Sequence, residues 1–153
     1  MLRTLAPLFV AASAAIIMLL GLIHLLYTFH GSKLLPRDRD LRVRMEEVSP
    51  VITRETTMWK AWIGFNASHS YGAIFFGAVY GYLSLAHSAF LLQSVFLLLL
   101  GLLLLGGYVF LGKRYFFSVP FRGILLATVF YVIALIINWG GFAFESRWFC
   151  LRQ

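Results

Sequence analysis

Two histidines, an asparagine and a serine stand inside apolar runs of this chain: His24 in the first run, and Asn66, His69 and Ser70 in the second. Hydrocarbon solvates such groups poorly, so a polar or ionisable side chain in a membrane segment is a functional candidate by default. Neutral imidazole takes or gives a proton near neutral pH, and an amide beside it sets its orientation. His69, His24 and Asn66 are therefore the candidate catalytic groups. Trp62, Ser70, Thr28, Tyr108, Arg122 and Tyr131 are the candidate ligand-binding groups, with Arg122 suited to an anionic head or a developing oxyanion. No acid lies within the apolar runs, and Glu46, Glu47 and Glu55 of the first loop are the nearest. His24, His30 and His69 lack carboxylate partners and HxxH or ExxH spacing, so no metal site is expected.

The elements that must position these groups follow from composition. Of 153 residues, 61% are apolar and 12% charged, which places the chain among integral membrane proteins. Four helical spans are expected, at about 5–29, 58–85, 89–111 and 119–144, each long enough to cross hydrocarbon. The first is retained as a span, since its small residues Ala11 to Ala15 sit mid-run and not at a cleavage site. Short connections then imply an all-α, up-down four-helix bundle forming a single domain over 1–153.

Between the first two spans lies a polar loop, about 31–57. Pro36 is expected to begin a short amphipathic helix on the membrane surface, with Leu41, Met45 and Val48 on one face and i, i+4 pairs Asp38–Arg42 and Asp40–Arg44. Ser49 and Pro50 are expected as N-cap and first position of the next helix. Trp59 and Trp62 suit the headgroup level.

Helical spacing groups the polar residues by face. Gly21, His24 and Thr28 share one side of the first span. Trp62, Asn66, His69, Ala73, Gly77 and Gly81 recur along the second, beside another small-residue line, Gly64, Ser68 and Gly72; such lines permit close helix contact, including contact with a second copy of the chain. The fourth span carries Gly123, Ala127, Tyr131, Ala134, Asn138 and Gly141 on one stripe. The third is scaffold and lipid contact. Trp148 and Phe149 of the tail suit the interface.

Charge sets direction. The net charge is +7, but the cations lie in loops, which reports topology and excludes nucleic acid as the expected partner. Seven Lys and Arg occupy the first loop region (33, 37, 39, 42, 44, 54, 60) and three the third (113, 114, 122), against one N-terminal and two in the tail. Loops one and three are thus expected in the cytoplasm and both termini outside, in a cell inner membrane. His24 then lies roughly 9 Å beneath the cytoplasmic boundary and His69 roughly 14 Å past Lys60, at the helical rise. Both fall in one leaflet. Cys150 is the single cysteine, so no intramolecular disulfide forms.

The expected activity is a polar intramembrane pocket for a membrane lipid or other lipophilic substrate, with histidine acid–base chemistry on a lipid or isoprenoid and no cofactor. Two alternatives stay open: His24 and His69 as axial ligands of a haem in an electron-transfer protein, and an accessory or scaffold subunit whose polar residues serve helix packing.

Gly21-Leu-Ile-His24, the loop around Leu35-Pro36, Ser49-Pro50-Val-Ile-Thr, Trp62-Ile-Gly-Phe-Asn-Ala-Ser-His69 and Pro120-Phe-Arg-Gly123 give the whole chain a resemblance to a family of short bacterial four-helix membrane proteins. The resemblance implies four spans and no particular activity. The helical pocket is loosely similar to that of emopamil-binding-type sterol isomerases, whose intramembrane acids have no counterpart here.

Overall fold

Every regular element of the computed structural model is helical; it describes the backbone of residues 2–150 and the side chains of residues 4–140. Expectations for Gly141, Trp148, Phe149 and the thiol of Cys150 fall on side chains outside those described. After a 3-10 turn at Leu2–Leu5 come α1 (Ala6–Phe29), α2 (Arg39–Glu47), α3 (Met58–Ala86), α4 (Ser88–Gln93), α5 (Val95–Tyr115) and α6 (Ser118–Cys150). Three helices are long and apolar enough to cross a membrane: α1, α5 and the Ser118–Gly140 part of α6. The chain is a multi-pass membrane protein. Although α3 is the expected second span and runs 29 residues, it is not among the three. Lys60, Asn66, Ser68, His69 and Ser70 weigh down its first half, where the candidate chemistry lies.

Two compact units divide the chain, Leu19–Ile74 and the remainder. In the larger unit α6 returns antiparallel along α5. Gly112 of α5 meets Phe121 and Ile124, Gly101 meets Tyr131, and Asn138 Nδ2 donates to Leu92 O at 2.9 Å. The expected α6 stripe is buried at Ala127, Tyr131, Ala134 and Asn138. Gly101 is essential to this packing, because a Cβ there would collide with the Tyr131 hydroxyl and lie 2.8 Å from Tyr80 Cε1. The start of α1 packs here too: Gly77 admits Met18 and Ala14 O, and the Phe9 and Phe130 rings lie 5.9 Å apart.

Several boundaries differ from the sequence expectation. The third run is two helices, broken at Ser94, whose backbone leaves the helical region (φ −83°, ψ 97°) and whose Oγ accepts from Leu97 N as the α5 N-cap. Serine competes for backbone bonds in this way, and apolar periodicity does not register it. In the smaller unit α2 begins at Arg39, because Asp38 serves as its N-cap and accepts from Asp40 N and Leu41 N. That role takes Asp38 away from Arg42, which pairs with Glu46 at 2.8 Å, while Arg44 pairs with Glu47 at 3.1 Å. The expected Asp38–Arg42 and Asp40–Arg44 pairs are replaced. Ser49 and Pro50 do not open α3. Pro50 O instead accepts from Thr53 N in a turn, and Thr57 Oγ1 caps α3 through Lys60 N at 3.3 Å.

Candidate functional site

The smaller unit brings His24, Asn66 and His69 together. Their approach begins at Gly21, one turn before His24 on α1. A Cβ at that position would meet Ala73 Cβ at 2.9 Å and Ser70 O at 3.0 Å, so the backbones of α1 and α3 run in contact there. Small residues permit this because nothing but hydrogen projects between the helices. One turn further along, the long side chains close the space.

A directed chain of hydrogen bonds results. Asn66 Nδ2 donates to Trp62 O at 2.8 Å, four residues back along α3. The amide nitrogen is thereby fixed toward the backbone, which turns Oδ1 toward His24 Nε2 at 3.0 Å. Since Oδ1 only accepts, the network assigns the proton to Nε2 of neutral His24 and leaves Nδ1 as its basic nitrogen. The His69 ring stands edge-on to the His24 ring, with centroids 5.6 Å apart and planes at 87°. Two imidazoles, one of them oriented by an amide, form a unit able to accept and deliver a proton.

Thr28 and Ser70 are buried beside this group. Their hydroxyls donate to His24 O at 2.8 Å and Asn66 O at 2.9 Å, each four residues back on its own helix. Trp62 is 43% exposed, and its Nε1 donates to Leu34 O at 3.3 Å across 28 residues of sequence. The loop is thus fastened beside the site. A second fastening is Arg42 of α2, whose guanidinium carbon lies 3.9 Å from the Trp59 ring centroid. Sequence reasoning found Trp59 and Trp62 but neither partner. A backbone carbonyl has no sequence signature, and Arg42 shows only that it can pair within its own helix.

The remaining candidates belong to the larger unit. Tyr131 is fully buried there and donates to Leu98 O at 3.1 Å, Tyr108 lies half-buried on α5, and Arg122 is exposed in the first turns of α6. Glu46 and Glu47 are held on α2 by arginines. Among the described residues no three His, Cys, Asp or Glu side chains gather as metal ligands would.

A haem between His24 and His69 fits this arrangement badly. The two rings touch edge to face, which leaves no layer for a planar macrocycle, and Nε2 of His24 is committed to Asn66. The backbone contact at Gly21 closes the neighbouring turn. Comparison with protein-family models, curated proteins and solved structures gives no match.

Proposed function

We propose that this chain is a four-helix, up-down inner-membrane protein in which α3 is the fourth span, and that the His24–Asn66–His69 group binds a lipophilic small molecule with a polar head. Loops one and three face the cytoplasm and the termini lie outside, as the distribution of Lys and Arg favours. The observation that carries the reading is the chain Trp62 O to Asn66 to His24, with His69 edge-on. Orienting an imidazole through an amide is unnecessary for packing two helices that already touch at Gly21. It is what proton transfer needs.

The chemistry this supports is a proton shift, hydration or hydrolysis on a lipid or isoprenoid. His24 Nδ1 takes a proton, His69 supplies or receives the second, and Asn66 holds the tautomer. Trp62 lines the approach. The second reading, an accessory subunit, draws on Thr28 and Ser70, whose hydroxyls are satisfied within their own helices as packing residues' are.

The test is purification in mild detergent followed by mass analysis of co-extracted lipids, for the natural protein, His24→Ala, His69→Ala and Thr128→Val. The first and last are expected to retain one lipid or isoprenoid class, and the histidine variants to lose most of it at nearly unchanged melting temperature. Equal retention in all four, with only the melting temperature lowered, would make the histidines packing residues.

A further inference from the structure

Val51 and Ile52 are the most exposed large apolar side chains described, at 108% and 91% of their full accessibility. They sit in the polar loop, outside the apolar helices. They also occupy the two central positions of a turn closed by Thr53 N donating to Pro50 O at 3.2 Å, and Glu55 N donates to Thr53 Oγ1 at 3.1 Å just beyond. The turn is built, and its tip is two β-branched aliphatics left exposed by the described residues.

Their reach is limited. Met58 N, the first residue of α3, donates to Val48 O at 2.8 Å, so 49–57 is a short excursion pinned at both ends beside the start of α3. Three residues of extended chain carry Val51 at most about 11 Å from that pin. Trp59 and Trp62, in the first turns of α3, mark the level of the headgroups. Between residues 31 and 60, Lys33, Arg37, Arg39, Arg54 and Lys60 enter no ion pair among the described residues, and with Arg42 and Arg44 they outnumber the acids Asp38, Asp40, Glu46, Glu47 and Glu55 by seven to five. Aliphatic tips on a segment with a net excess of cations match an anionic leaflet, where apolar side chains enter the acyl boundary and cations meet phosphates.

We propose that the Pro50–Thr53 turn is an interfacial anchor: Val51 and Ile52 insert into the acyl boundary of an anionic leaflet and hold the loop against the membrane beside the histidine site. The inference rests on the membrane placement of α3 proposed above, so the experiment reads the two separately.

Single cysteines are introduced into a Cys150→Ser background of the full chain as Ile52→Cys, Phe65→Cys on the exposed side of α3, and Arg39→Cys on α2. Each is labelled with a polarity-sensitive dye and reconstituted in vesicles containing spin-labelled lipid, made either of phosphatidylcholine alone or with phosphatidylglycerol. The dye at position 52 is expected to be blue-shifted and quenched by shallow spin labels severalfold more than the dye at position 39, and more strongly with phosphatidylglycerol. A quenched dye at 65 with a water-exposed dye at 52 overturns the anchor alone. An unquenched dye at 65 overturns the placement of α3, and the anchor with it. Protection at 52 that follows protein density and ignores spin-labelled lipid overturns the anchor in favour of a second copy of the chain. Equal quenching in both lipids removes the anionic preference and overturns that part of the proposal.

Discussion

At the scale of single residues, the smaller unit turns on Gly21 and Asn66. At Gly21 an added Cβ faces a Cβ and a backbone carbonyl, neither of which can swing aside. Gly21→Ala is therefore expected to lower stability by about 1–3 kcal/mol through overpacking. Gly64→Ala, with nothing within 4 Å of the new atom, is expected to be neutral or to gain up to about 1 kcal/mol from helix propensity. Denaturation of both variants checks the pair, and equal losses would mean that α1 and α3 do not meet at Gly21. Asn66 can be tested without relying on stability. Nitrogen NMR of labelled histidine is expected to show His24 protonated at Nε2 in the natural protein and a mixture of tautomers in Asn66→Ala. An unchanged tautomer would show that Asn66 does not position His24.

At the scale of elements, short polar contacts decide where helices stop. Ser94 divides the third apolar run by capping α5, and Ser94→Ala is expected to cost about 1 kcal/mol, read as a lower melting temperature. In α2, cap, ion pairs and the Arg42–Trp59 contact take the place of a core, since none of its residues is buried. Arg42→Ala removes both the Trp59 contact and the Glu46 pair, and faster hydrogen exchange across residues 40–47 is expected. Arg44→Ala removes only an exposed pair and is expected to change exchange little.

At the scale of the whole molecule, topology is the property with the clearest consequence. If the charge bias sets orientation, Ser32→Cys in a Cys150→Ser background is labelled by an impermeant maleimide only when the cytoplasmic face is open. Labelling from outside in intact cells would reverse the orientation. The helical class, three of the four expected spans and the face shared by Gly21, His24 and Thr28 were legible in the chain, because helical periodicity and hydropathy are local properties. The same local arithmetic explains where reading stopped. It counted α3 as a span like the others, although its polar half sets it apart from α1, α5 and α6.

What the sequence by itself determined was an all-helical membrane protein with two histidines on faces able to meet, since composition and a 3.6-residue period depend on neighbours along the chain. Only the tertiary structure decided that Asn66 faces His24 with its oxygen, that Trp62 and Trp59 take Leu34 O and Arg42 as partners, and that Asp38 caps α2 in place of pairing with Arg42. Each of those outcomes is a competition for a hydrogen bond or a charge among groups distant in sequence or able to serve two partners. Such a competition is settled by which partner the folded backbone brings within about 3 Å.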